Sequence, residues 1–200
     1  MRLKQRPTRE PATRDGVPMS AHCFHQEHSM LTDNAEDQRT DDWFGDLQRL
    51  NDWMDQVIDT LQQGIAAGQS PFAAGIFHSD GRCVVTAHNT VRRRNQISRH
   101  GEVNALDEAC RLTGRLDLSG LILVTTGEPC PMCAATAAMA KVDGIVYGAS
   151  CSDILEAGYK TLELPCEEFF RHANRSPKIR GLVRRERCRE LLLQNRKDAS

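Results

Sequence analysis

The chain of 200 residues is 40% hydrophobic and 26% charged, enough for one globular domain with a real core and too short for two comfortable ones. A formal net charge of -1 argues against a surface built throughout to embrace nucleic acid or an anionic membrane. No run reaches the ~20 apolar residues of a membrane span, and the stretch MRLKQRPTREPATRDGVPMS lacks the apolar middle of a secretory signal, so the expected compartment is the cytoplasm. In that reducing setting the eight cysteines are poor candidates for a disulfide framework, and only Cys130 and Cys133 form a close pair.

Residues 1–38 mix Pro, Arg, Ser, Asp, Gln and His without apolar periodicity and read as a disordered tail before a domain at 39–200. His22, Cys23, His25 and His28 fall in that tail, where nothing would hold metal ligands rigid, so they read as polar tail. From Asp41 the pattern changes. Phe44, Leu47, Leu50, Met54, Val57, Ile58, Leu61 and Ile65 recur at three- and four-residue steps, which predicts an amphipathic helix capped by Asp41 or Asp42 and ending near Gly68. The apolar runs PFAAGIF and CVVTAH flank Asp80-Gly81, a turn signal that predicts a β-hairpin, with a loop from Asn89 to Arg99 after it.

The stretch HGEVNALDEACRLTG predicts a helix starting at about His100 and stopping at Gly114. A strand at LILVTT, an Ala-rich helix at CPMCAATAAMAKV with both thiols at its start, and a strand at GIVYG follow. Short helices are expected at 153–157 and 166–174, and a last one at 185–195. Helices alternating with strands imply crossovers, hence an α/β fold with a mixed sheet covered on both faces.

Three residues along a helix return to nearly the same face, so Cys130 and Cys133 can point at one ion. Two sulfurs do not complete a site. His100, also at a predicted helix start, brings a third ligand, and helix dipoles together with a cation favour the thiolate form. Three protein ligands leave a fourth position for water, the arrangement of catalytic zinc. Glu102, two positions after His100, can then serve as proton shuttle. The stretches HGE at 100–102 and PCPMC at 129–133 match the His-x-Glu and Pro-Cys-x-x-Cys pattern of the zinc deaminases, a known pattern that is matched here and not deduced. The competing reading is a zinc site that staples loops, with Cys151 or Cys166 as fourth ligand, in a binding module without turnover; it leaves Glu102 without a purpose.

PFAAGIF, HGEVNALDEAC, TTGEPCPMC, VDGIVYGAS and SDILEAGY together resemble the cytidine deaminase-like superfamily, in its guanine deaminase and nucleoside deaminase branch, from about Trp43 to Asp153. The resemblance implies a three-layer α-β-α fold with a five-stranded mixed sheet. It implies Zn2+ on His100, Cys130 and Cys133, Glu102 as proton shuttle, and a homodimer whose partners approach one another's active sites. It also implies a backbone N–H near Glu102 or Cys133 that holds the transition-state oxygen, which brings Gly101 into the substrate site. Gly101 stands where the family more often has alanine, and Met139 where guanine deaminases can carry an aromatic.

For the substrate, a small nucleobase or nucleoside, Asn89 matches an asparagine that hydrogen-bonds the base, a task suited to a side chain that both donates and accepts. A turn residue closing the strand is its plain alternative. Asp153 matches an aspartate that accepts from the base's amino and ring N–H groups, against a helix-cap role for which Ser152 competes. Phe72 can wall the ring, or serve the core. The implied reaction is hydrolytic removal of an exocyclic amino group, guanine to xanthine first, with cytosine or nucleoside deamination as variants. A tRNA adenosine deaminase is the main rival, because residues 171–197 hold ten Lys or Arg against two Glu. A solvated helix face that offsets the acidic stretch 31–59 explains that charge as well.

Overall fold

The structure, a computed structural model, describes residues 43–196. The expected tail, with His22, Cys23, His25 and His28, lies outside the described residues, as do Asp41 and Asp42. The first helix, α1 (Leu47–Ala66), begins later than its apolar period predicts, and its cap is Asp46, whose carboxylate accepts the Arg49 N–H at 3.0 Å. The reason is Trp43. Its indole is buried, packs edge-on to Phe44 with ring centres 5.6 Å apart, and lies 6.1 Å from the Trp53 ring, so the segment before Asp46 is held as a turn in the core.

The predicted hairpin is β1 (Ala73–His78) and β2 (Cys83–His88), antiparallel, with Ala73 opposite His88. Its turn has Gly81 at φ +106°, a conformation that glycine adopts without strain. The segment expected to be loop contains one helical turn, α2 (Val91–Arg94). Then come α3 (Gly101–Thr113), β3 (Leu121–Gly127), α4 (Pro131–Ala140) and β4 (Gly144–Ala149). Gly114 ends α3 in the left-handed region, as its position predicts, and Pro131 sits in the first turn of α4. Two short helices, α5 (Cys151–Glu156) and α6 (Cys166–Phe170), precede a strand β5 (Lys178–Arg180) and the last helix α7 (Arg185–Gln194).

The sheet order is β2-β1-β3-β4-β5. β1 pairs antiparallel with both β2 and β3, while β3, β4 and β5 run parallel, which makes the expected five-stranded mixed sheet. Strand residues alternate between two cores. Phe77, Ile122 and Val124 pack with Trp53, Val57 and Leu61 of α1 and with Leu191 of α7. Ile76, Leu121 and Leu123 pack on the other face with Leu106 of α3, Ala137 of α4 and Phe170 of α6. Every residue of β3 is buried, as befits the central strand of a three-layer sandwich. Among the described residues no helix is long and apolar enough to cross a membrane.

The start of α3 lies close against the backbone of β1. A Cβ built on Gly101 would lie 2.9 Å from the Ala73 Cα and 3.0 Å from its carbonyl carbon, both backbone atoms of β1. Alanine, which the resembled family carries here more often, has no room at this spacing. Gly101→Ala is therefore expected to lower the unfolding free energy of the zinc-loaded protein by about 1–3 kcal/mol, the usual penalty of overpacking. Denaturant titration checks it, and an unchanged midpoint would show that α3 can move off β1 without cost.

Candidate metal centre and active site

Sheet topology places the chemistry. Strands β1 and β3 are neighbours, so the helix that leans on β1 and the helix that follows β3 start side by side. His100 occupies the N-cap position of α3, and Cys130 that of α4, with Cys133 in the first turn of α4. The three side chains converge. The His100 Nδ1 lies 3.5 Å from the Cys133 Sγ and 3.8 Å from the Cys130 Sγ, and the two sulfurs are 3.6 Å apart. Tetrahedral zinc with Zn–S of about 2.3 Å and Zn–N of about 2.0–2.1 Å has ligand-to-ligand edges of roughly 3.8 Å for S to S and 3.6 Å for N to S. The donor set and its spacing fit Zn2+, and among the described residues it is the one such cluster.

Cys133 is fully buried and the other two ligands are half-buried, so one flank of the cluster is open to a cavity. A hydrogen bond from Cys133, together with His100, holds the Cys130 thiol down to about 4 against the opposing effect of burial. The same bond and its own burial push the Cys133 thiol up. A cation replaces that shared proton with a stronger partner for both sulfurs.

Glu102 lies in the first turn of α3, 5% exposed, on the wall of the same cavity. Burial pushes its carboxyl up to about 7, with the charge of His100 opposing. A buried acid raised toward neutrality beside a metal site is poised to take and return a proton.

The cavity holds about 1020 Å³. Its lining includes Phe72 and Asn89, Pro131 and Met132 beside the ligands, and residues from Ile154 to Leu162. The Phe72 ring meets Tyr159 edge-on, with centres 5.1 Å apart. Asn89 is buried, and its Oδ1 accepts the Val91 N–H at 3.0 Å, an Asx-type turn that starts α2. Both sequence readings of Asn89 meet in one residue, because the turn uses the oxygen and leaves the amide donors. Asn104 of α3 braces this loop by donating to the His88 carbonyl at 3.0 Å and the Thr90 hydroxyl at 2.9 Å. Sequence reading passed over Asn104, whose partners lie 16 and 14 residues away.

Asp153 is placed differently from its expected substrate role. It is 2% exposed and does not line the cavity. Its carboxylate accepts the Ser150 N–H at 2.8 Å while the Ser150 hydroxyl receives the Asp153 N–H, a capping box in which Ser150, not Ser152, is the cap. Arg185 of α7 completes the arrangement as a fork, with bonds of 3.0 and 2.9 Å to the two carboxylate oxygens. Burial raises the Asp153 carboxyl, yet the Arg185 and Ser150 bonds outweigh it and hold it below its ordinary value. Gly101, too, is set against the β1 backbone and is not among the cavity-lining residues. The structure thus brings His100, Cys130, Cys133, Glu102, Asn89 and Phe72 around one cavity and leaves Asp153 and Gly101 out of its lining.

Comparison with known proteins agrees with this geometry. The family model described as the cytidine and deoxycytidylate deaminase zinc-binding region matches residues 47–149. A guanine deaminase of Bacillus subtilis (strain 168) is 36% identical over 123 residues, which is 58% of this chain and 78% of that protein. A tRNA-specific adenosine deaminase of the same organism is 31% identical over 125 residues, 60% of this chain and 73% of its own length. A solved guanine deaminase from Nitrosomonas europaea superposes with a TM-score of 0.68 at 26% identity, covering 72% of this chain and 83% of that one. The matched span contains the whole ligand set and Glu102, and on it the chain belongs to the family of cytidine and deoxycytidylate deaminase zinc-binding domains.

Proposed function

We propose that this zinc-dependent hydrolytic deaminase removes the exocyclic amino group of a free purine base, guanine, giving xanthine and ammonia. The observation that carries the reading is the buried Glu102, raised toward neutrality and facing the same cavity as the zinc ligands His100, Cys130 and Cys133. Those three residues would hold Zn2+, which when bound would supply the Lewis acidity that makes water nucleophilic near neutral pH. Glu102 takes the proton released as water adds to the carbon bearing the amino group and delivers it to the adjacent ring nitrogen. It then takes the remaining proton from the added hydroxyl and passes it to the departing nitrogen as the carbon–nitrogen bond breaks, so that water and guanine become xanthine and ammonia with the carboxylate restored. Asn89 donates from its amide to the base, while its oxygen accepts the Val91 N–H. Phe72 and Met132 exclude water from the ring faces, which strengthens the electrostatic contacts inside.

The similarity to the B. subtilis guanine deaminase supports the choice of base, and the similarity to the tRNA-specific enzyme supports the rival. The charges favour the first. The basic C-terminal segment spends much of its charge on its own fold: Arg184 forks onto Asp55 at 3.0 and 2.6 Å, Arg185 onto Asp153, and Arg189 onto Glu156. Arg175 reaches Asp143, and Arg187 reaches Glu190 at 2.8 Å. Guanidinium groups engaged this way make a poor footprint for RNA phosphates. A cytoplasmic, homodimeric enzyme completes the proposal, with the exposed Met132 and Met139 on one side of α4 as apolar surface for a second copy.

Zinc-loaded protein is expected to release ammonia from guanine and none from an RNA stem-loop; turnover of the RNA alone would transfer the function to the rival. Glu102→Gln should cut kcat by about 10²–10⁴ with metal content, read by atomic absorption, unchanged. Loss of zinc in that variant would instead make Glu102 part of the metal's support. Asn89→Ala should lower kcat/KM by roughly tenfold or more, the worth of a hydrogen bond left unmade in a buried site, and steady-state kinetics on guanine measures it.

A further inference from the structure

Glu128 has no role in the chemistry above, yet it sits two residues before Cys130, is 9% exposed, and touches the cavity. Its carboxylate is divided between two distant points of the chain. Oε2 accepts the N–H of Cys151, the first residue of α5, at 2.7 Å, and Oε1 accepts the N–H of Cys166, the first residue of α6, at 2.8 Å. Those residues are the two feet of an arch. The chain between them supplies Ile154, Leu155, Gly158, Tyr159, Thr161 and Leu162 to the lining of the cavity that His100, Glu102 and Cys130 also line.

The two feet are not equally secured by the rest of the fold. The Cys151 foot follows β4, which is in register with β3 (Gly127 opposite Ala149), and the Glu128 N–H itself bonds the Ala149 carbonyl at 2.8 Å. The Cys166 foot follows no strand, since residues 157–165 between the helices form neither helix nor strand, and its link to β4 is the Tyr147 hydroxyl, which donates to the Glu167 carboxylate at 3.2 Å. Beyond the packing of Cys166 and Phe170 in the core, the bond to Glu128 is what ties this foot to the zinc-ligand loop. A buried N–H needs an acceptor, and an ionised carboxylate offers two oxygens and no competing donor.

We infer that Glu128 is a positioning residue: it pins both feet of the 151–166 arch to the loop bearing Cys130 and so sets how the arch is placed about the substrate cavity that the metal ligands also line. The inference rests on the reading of this cavity as the deaminase's substrate site. Glutamine in its place keeps one acceptor but turns an amide N–H toward the other foot, and alanine frees both. The cost falls on holding the base rather than on the proton transfers at Glu102, so it belongs in KM and not in kcat.

The test uses full-length, zinc-loaded Glu128→Gln and Glu128→Ala proteins with two readouts, hydrogen exchange and kinetics on guanine. Peptides covering 150–167 should exchange about tenfold faster in Glu128→Gln and faster still in Glu128→Ala, while peptides from β3 and α3 and the zinc content stay as in the parent. KM for guanine should rise about tenfold in the glutamine variant, with kcat per bound zinc within about twofold. Unchanged exchange over 150–167 overturns the inference, as does faster exchange with KM unmoved, which would make the two bonds merely structural. If the alanine variant does not fold, the near-isosteric glutamine variant decides. Failure of the guanine reading itself shows separately, as absence of ammonia from the parent protein, and leaves the exchange result to judge the arch.

Discussion

The contact of Gly101 with the β1 backbone is the constraint on which the site depends. With a Cβ there, α3 could not come as near to Ala73, and His100, the preceding residue, would be carried away from the two thiols at the start of α4. The sheet order makes the same demand from the other side, since only with β1 and β3 as neighbours do these two helix starts meet. A hydrogen-bonded sheet fixes strand spacing to within a few tenths of an ångström. The 3.5 to 3.8 Å triangle of donor atoms is therefore inherited from the strand ladder, not built by the ligand residues alone.

Around this rigid half, the cavity's other wall is held by charge. Asp153 gives α5 its cap and binds Arg185, and Arg189 of the same last helix bonds Glu156. The Tyr159 hydroxyl bonds the Asn195 carbonyl at the far end of α7, and Arg196 donates to the Glu156 carbonyl at 3.0 Å. The last helix thus braces the outside of the arch as Glu128 braces its inside. That is why the arginines of residues 184–189 are so dense without forming a free basic patch. Exposed pairs of this kind are each worth little, but the Arg185 fork closes on a carboxylate that is 2% exposed, and removing one partner there leaves a buried charge alone.

What could be read from the sequence divides along the same line. The ligands, Glu102 and the helices that carry them were legible because each signal is local: a three-residue spacing, a proline at a helix start, a glycine at a helix end. Asn89 and Phe72 came from resemblance, and the cavity does gather them. The start of α1 was misjudged because the anchoring of Trp43 is a tertiary contact that no periodicity reveals. The strand β5 has three residues, Lys178–Arg180, with no apolar run; it exists because it pairs with β4. Asp153 carried two readings, cap and base contact, and Arg185, 32 residues further on, turned its carboxylate to the cap. Glu128 was silent for the same reason, its partners being 23 and 38 residues away.

The fate of the carboxylates bears on how a base is held. Glu102, Glu128 and Glu156 line the cavity, but each oxygen of Glu128 accepts a backbone N–H, Glu156 is paired with Arg189, and the proposed reading assigns Glu102 to proton transfer. Asn89, its oxygen occupied, offers donors. On the proposed reading the Asn89 amide donors suit an acceptor on the base, such as the carbonyl or an unprotonated ring nitrogen of guanine. A base that turns an N–H toward that amide meets a donor facing a donor, and a buried polar pair left unmatched costs more than the bond it replaces. On that reading, selectivity among amino-substituted rings draws on the turn that Asn89 makes with Val91, a feature of the backbone path that ends β2.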